Sequence, residues 1–330
     1  MARQSNMELC RLASTVLVML VHSTFQSVGW DCSSFGILLL AAFSIIGVDV
    51  FVLVTGFFST EPKRISLANL LFICFFWMVF RLAVRFAFDQ PFRWGDCFFV
   101  TKSNWFIPSY LCLLFITPVL NSFCNSSSKK SLLGVVSALL FFEMWFDLLP
   151  PHPSVSLGSQ RGSSVLSFIS LYLLSRYIHL YGVPQWFRKG SSWFYIFCSI
   201  FLSILALLCI KVGFPATQVI YASSNPLVIF SALSFLLMFE KVKIDENPVI
   251  NHLAKSALPV LLSHSAIFFL YTKQFHYIFS HYSTGRMIIY WVLAIAIVFV
   301  ASVAIDQVRL MLWKPVENSL RKRIKKNELF

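Results

Sequence analysis

The sequence predicts an all-α fold, a polytopic membrane bundle of about ten transmembrane helices, and three observations carry that expectation. Of 330 residues, 58% are hydrophobic and only 12% charged, where soluble chains carry roughly 25% charged residues. Mean hydropathy is +0.75, with 36 phenylalanines in the chain. The apolar residues fall in long runs, near the ~20 residues a helix needs to cross a bilayer, and they lack the period-2 alternation of a barrel strand. The apolar content excludes disorder. Eight cysteines in 330 residues are too sparse for a disulfide scaffold.

The helices read as 7–28, 35–58, 67–88, 105–123, 131–149, 164–181, 192–212, 225–240, 256–274 and 286–310. The first is interrupted by Arg11 and followed by no small-residue cleavage site, so it reads as a span and not as a cleaved signal. The second holds Asp49, and the third holds Arg81 and Arg85. The fourth opens at Trp105, after a connection over 89–104. The fifth closes on Glu143 and Asp147. Next comes Pro150-Pro151-His152-Pro153, which predicts an exposed, non-helical loop. The sixth contains Arg176, and the eighth is the shortest. Residues 1–310 thus form one ten-helix transmembrane domain, and 311–330 a basic cytoplasmic tail ending near Arg321-Lys322-Arg323-Ile324-Lys325-Lys326. That run reads as a membrane-proximal anchor in contact with lipid headgroups, and a nucleic-acid partner is not expected.

Net charge is +13, and its distribution sets the orientation. With the N-terminus in the cytoplasm, seventeen Lys and Arg residues (Arg309 among them) fall on inner segments and six on outer ones, with four more inside spans. Cytoplasmic loops carry that excess, so both termini are expected in the cytoplasm.

An ionisable side chain inside a span is costly and invites a functional reading. Arg11 and His22 are 11 residues apart, three helical turns, so they share a face while standing about 16 Å apart along the axis. Arg11 either snorkels to the inner headgroups or works at a site; His22 either bonds a neighbouring helix or acts as a base. Asp49 lies deep in the second helix, and Arg11 is its nearest candidate partner by depth. A structural Arg–Asp pair and a catalytic role are both open.

The first-helix Arg11 and His22, followed by Gly47-Val48-Asp49-Val50-Phe51-Val52-Leu53-Val54-Thr55-Gly56-Phe57-Phe58, resemble the membrane acyltransferase 3 family. Its second helix carries a Gly-Val-Asp-Phe-Phe-Val-Ile-Ser-Gly-Phe-like run, and Thr55 stands here for the usual Ser. Trp105-Phe106-Ile107-Pro108-Ser109-Tyr110-Leu111, leading to Thr117-Pro118-Val119-Leu120-Asn121, is similar to the family's fourth helix. Leu258-Pro259-Val260-Leu261-Leu262-Ser263-His264 is similar to its late Tyr-Leu-x-His segment, with Leu261 where Tyr is usual.

The resemblance implies an integral-membrane O-acyltransferase of a bacterial inner membrane. It would move an acetyl or other short acyl group from acetyl-CoA to a hydroxyl of a cell-envelope or exported polysaccharide, the carbohydrate acceptor being free or lipid-linked. A sugar hydroxyl needs a base, and histidine has a suitable unperturbed pKa of about 6.5. His22 is the expected base, and Arg11 and Asp49 are the other expected catalytic residues. Direct transfer and a covalent acyl-histidine both fit. CoA phosphates call for cations near the inner surface: Arg11, Lys63, Arg64 and Arg176, although for Lys63 and Arg64 the positive-inside bias is sufficient reason. His264 is a secondary site. No metal is expected.

Arg81 and Arg85 share a helix face, as do Glu143 and Asp147, at similar depth near the outer surface. The two pairs read either as one salt-bridge cluster or as contacts to an acceptor. Trp94, Trp105 and Trp145 read as an interface belt or as sugar-stacking rings. Cys32 and Cys97 could pair in an oxidising exterior. His152, His276 and His281 lie in or beside outer loops, and His179 and His252 near the inner surface, with no metal-ligand spacing. A transporter or flippase for an envelope glycolipid suits the buried charges as well. A polysaccharide polymerase is the third reading.

Overall fold

Long apolar runs free of interior Gly–Pro pairs leave the backbone one way to satisfy its polar groups in an apolar medium, which is the helix. In a computed structural model, residues 4–29, 32–98, 100, 104–148, 158, 160–214 and 217–327 are described. Among the described residues 84% are helical and no strand occurs. The helices are α1 Ser5–Val28, α2 Phe35–Ser44, α3 Gly47–Phe57, α4 Arg64–Ala87, α5 Phe106–Ser126, α6 Lys129–Leu148, α7 Val165–Tyr181, α8 Gln185–Lys211, α9 Thr217–Ile220, α10 Pro226–Lys241, α11 Pro248–Leu253, α12 Ala257–Ala266, α13 Phe268–His281 and α14 Thr284–Asn327. Short 3-10 turns lie at Trp94–Cys97, Gln160–Gly162 and Ala254–Ser256. The Pro150–Pro153 loop with His152, and also Arg3 and Lys102, lie outside the described residues.

Among the described residues seven segments are long and apolar enough to cross a membrane, and eight if a bent pair counts as one span. The segment expected as one helix over 35–58 is two helices, broken at Ile45–Ile46, although it still qualifies as one span. The helix expected over 256–274 is also broken: Pro248–Ala266 and Phe268–His281 meet at 76° about Ile267. No Gly or Pro marks that point in the sequence, and the bend follows from packing. The expected end of the last helix at 310 is not observed. α14 runs unbroken for 44 residues into the basic stretch, because good helix formers continue past Pro315.

α1 is the centre of the bundle and packs against α2, α3, α10, α11, α12 and α13. Glycine permits its closest approach. A Cβ on Gly47 of α3 would sit 2.7 Å from Ser14 O and 2.8 Å from Val18 Cγ2, the small-residue contact by which apolar helices approach each other. Gly56 does the same for α7, against Tyr172 O at 2.7 Å. Along its other side α1 is stapled to the C-terminal third of the chain. Ser5 bonds Asn251 at 3.2 Å, Thr15 Oγ1 donates to Ala257 O at 3.2 Å, the Tyr271 hydroxyl donates to Met19 O at 2.6 Å, and Trp291 Nε1 donates to Ser23 Oγ at 2.8 Å.

Arg309, expected among the cytoplasmic cations, is instead fully buried with Asp306. Its Nε and Nη2 donate to the Asp306 carboxylate at 2.5 and 3.0 Å, and its Nη1 donates to Asn69 Oδ1 at 3.2 Å. Ser256 Oγ donates to the same carboxylate at 2.7 Å. This bonded network locks α14 onto α4 and the turn before α12.

Candidate active site

The C-terminal half of α1 ends in a cavity of about 360 Å³, within the ~300–1,000 Å³ range of small-molecule sites. Its walls come from α1, the α2–α3 junction, the start of α5, the Gln160–Gly162 turn, the α9–α10 connection and α12. His22 and His264 both line it. His22 Nδ1 lies 2.8 Å from His264 Nε2, and the rings are 5.0 Å apart with a 34° tilt. Thr15–Ala257 and Met19–Tyr271 are contacts of the same α1 face, so the meeting of the two histidines follows from the register of α1 on α12 and α13.

The proton positions follow from the partners. His264 Nδ1 faces Val260 O at 3.3 Å, and a carbonyl oxygen only accepts. That nitrogen therefore carries the proton, and neutral His264 presents Nε2 as an acceptor. His22 Nδ1 is then the donor, and His22 Nε2 keeps its lone pair. This assignment rests on the hydrogen-bond network. It leaves a basic nitrogen on a side chain that borders a cavity, the arrangement general-base chemistry requires.

Among the described residues the polar wall is made of neutral groups and one cation. Asn104 caps α5 through its Oδ1, which accepts from Phe106 N at 2.9 Å. Trp105 follows it, 46% exposed. Tyr221 is fixed by donating to Leu38 O at 3.0 Å. Arg161 donates to Gln218 Oε1 at 2.6 Å. Sequence reasoning placed Arg161 in an outer loop but missed it as a site residue, and it missed Asn104, Gln160, Gln218, Tyr221 and Ser223. A cation in a Gly- and Ser-rich turn just before a span was a usable signal for Arg161. Nothing local marks Gln218, which joins the site only through packing.

His22, His264 and Trp105 are thus brought together, and the other expected site residues are not. Arg11 does not pair with Asp49. Its Nη1 bonds Glu8 Oε2 at 2.9 Å, and its guanidinium lies 6.0 Å from the Phe51 ring centroid. Glu8, one turn away on the same helix, is the closer partner. Asp49 is fully buried, and its carboxylate meets the Ser223 hydroxyl of the α9–α10 connection instead of a cation. The expected cluster of Arg81 and Arg85 with Glu143 and Asp147 does not form. Arg85 Nε is 3.2 Å and Arg81 Nη1 3.8 Å from Asp96 in the Trp94–Cys97 turn, and Arg81 also donates to Ser265 Oγ at 3.1 Å. Glu143 faces α7 and accepts from the Ser170 hydroxyl, because α6 packs on α7 whereas α4 packs on α12, α14 and that turn. Asp147 lies one turn beyond Glu143 on α6.

Lys63 and Arg64 are exposed at the start of α4. Arg176 is buried, with Nη2 3.4 Å from Asn125 Oδ1 and Nε without a partner. None of Arg11, Lys63, Arg64 and Arg176 lines the histidine cavity. Cys32 and Cys97 are both free thiols, so the expected pairing is absent. Trp94 and Trp145 are exposed at 77% and 46% and lie off the cavity, which suits an interface belt. Among the described residues no group of three or more His, Cys, Asp or Glu side chains could hold a metal ion. No family model, no curated protein and no solved structure matches the chain.

Proposed function

We propose that the chain is an integral-membrane O-acyltransferase of the acyltransferase 3 type, carrying acetyl or another short acyl group from acyl-CoA to a hydroxyl of a cell-envelope or exported polysaccharide. The observation that carries this reading is the His22–His264 contact at the wall of a cavity edged by Trp105 and by the amides of Asn104 and Gln218. Aromatic faces and amides suit a sugar, and the base it needs stands beside them.

In this reading the acceptor hydroxyl gives its proton to His22 Nε2. Its oxygen bonds the thioester carbonyl carbon, the C–S bond breaks, and the departing thiolate takes the proton back from His22. His264 Nε2 accepts from His22 Nδ1 throughout and so steadies the imidazolium, the role of the orienting third group in a triad. His264 positions His22 and does not touch the reacting atoms. The proposal includes ten spans, with α7, α10 and the bent α12–α13 pair each crossing once, and both termini in the cytoplasm of a bacterial cell. Arg11, Lys63, Arg64 and Arg176 then lie toward the donor side.

The 76° break in α12–α13 and the buried carboxylate of Asp49 favour a second reading, a glycolipid transporter, because broken spans line transport sites and buried charges mark transport paths. Acetyl-CoA turnover by purified protein, wild type beside His22→Ala, separates the two. Slow release of free CoA by wild type, with His22→Ala binding acetyl-CoA but releasing none, supports the transferase. Folded wild type without affinity for CoA moves the transporter to first place.

A further inference from the structure

We infer that the histidine cavity takes a sugar bearing an anionic group, a carboxylate or a phosphate, and that Arg161 reads that group. The inference rests on the transferase reading only in calling this sugar the acceptor.

The charge of the cavity wall is one-sided. Among the described residues two histidines and Arg161 line it and no Asp or Glu does; the Asp49 carboxylate lies behind the wall, against the Ser223 hydroxyl. Six other arginines find carboxylates: Arg11 on Glu8, Arg81 and Arg85 on Asp96, Arg188 on Glu240, Arg309 on Asp306 and Arg321 on Glu317, while Arg176 meets the Asn125 amide. Arg161 is held by an amide, Gln218, at 2.6 Å. An amide orients the guanidinium without cancelling its charge. A neutral sugar would be served by the amides and Trp105 alone, whereas a planar guanidinium matches a carboxylate or phosphate with two parallel hydrogen bonds.

The turn that carries Arg161 is built to stay in place. Gln160 and Arg161 have φ of 49° and 56°, a left-handed conformation unusual for residues with a Cβ. Ser223 N donates to Arg161 O at 3.1 Å. Gly162, at φ 90°, packs so closely that a Cβ would fall 2.3 Å from Ser223 Cβ. The turn is therefore clamped against the connection leading into α10, and Ser223 lines the same cavity. A fixed cation facing a site whose described lining holds no acid selects against neutral ligands by leaving its own charge unmatched.

The test is calorimetric binding of D-glucuronate, D-glucose 6-phosphate and D-glucose to the full-length protein in detergent. These probes differ at one carbon. At least one anionic sugar is expected to bind tenfold or more tightly than glucose, and the tighter of the two identifies carboxylate or phosphate as the group read. Arg161→Gln is expected to bring that sugar down to the glucose affinity, and Arg161→Lys to restore part of the preference. Gln218→Leu, which frees the guanidinium without removing it, is expected to fall between. Equal binding of all three sugars by wild type, or an anion preference that survives Arg161→Gln, overturns the inference. CoA release is followed separately on the same preparation. Absence of turnover with a preserved Arg161-dependent preference removes the transferase reading and leaves the anion site standing.

Discussion

His22 and His264 are 242 positions apart in the chain, and their ring nitrogens approach to 2.8 Å. Val260 O sets the proton on the far nitrogen of His264, so a backbone carbonyl one turn away decides which nitrogen of His22 is basic. An outer partner that fixes a histidine tautomer is commonly worth as much as part of the reacting set itself.

That relationship makes His264 testable as a positioning residue. His264→Ala is expected to lower acetyl-CoA turnover by ~10–100-fold, the scale of losing such a partner, with little change in acetyl-CoA affinity. His264→Gln, whose carbonyl oxygen can accept from His22 Nδ1, is expected to recover a substantial part. Equal loss in both variants would show that packing, and not the hydrogen bond, is what His264 supplies.

Asp49 gives an unusual expectation for a buried carboxylate. Its carboxylate meets the Ser223 hydroxyl and no cation, and an asparagine amide can keep that bond, so Asp49→Asn breaks no ion pair and thermal unfolding in detergent should move by no more than about 1 kcal/mol. Removing one member of a buried pair costs ~3–5 kcal/mol, so a loss of that size would mean that Asp49 holds a cationic partner in the membrane.

The Asp306–Arg309 pair should behave in the opposite way. Arg309→Leu leaves Asp306 buried with only the Ser256 hydroxyl, and ~3–5 kcal/mol of destabilisation is expected. The double variant Asp306→Leu/Arg309→Leu should be clearly less damaged than the single one. A double variant as unstable as Arg309→Leu would show that the network depends on shape and not on charge.

Gly47→Ala is expected to destabilise the protein by ~1–3 kcal/mol, the usual cost of overpacking. The new methyl would meet Ser14 O and Val18 Cγ2, both on α1. Because Val18 lines the cavity and His22 stands one turn further along, turnover should fall by more than stability alone accounts for. Unchanged turnover would place the α1–α3 crossing outside the site's geometry.

Much of this protein is legible in one dimension. The apolar runs mark the helices because a bilayer-length segment has few other options, and Arg11, His22 and Asp49 stand out because charge in such runs is rare. His264 and Trp105 were singled out through the resemblance, and both line the cavity. The pairings were not legible. Depth along a span constrained which charges share a level, but not which way each helix faces, so Arg11 was matched to Asp49 when Glu8 was closer, and Arg81 to Glu143 when Asp96 followed in the next turn. The bend at Ile267 left no trace because no helix-breaking residue causes it. The wall formed by Arg161, Gln218 and Ser223 joins segments more than fifty residues apart, beyond the reach of local spacing.

The 44 residues of α14 correspond to roughly 66 Å at 1.5 Å per residue, about twice the thickness of a hydrocarbon core. Asp306 and Arg309 pin this rod to α4 from within, and Trp313, packed 5.3 Å from the Phe72 ring, grips it one turn later. A small soluble domain grafted in helical continuity onto its end would inherit that grip. It would move with the bundle as one particle, giving electron microscopy a handle by which to orient a protein otherwise hidden in its detergent belt.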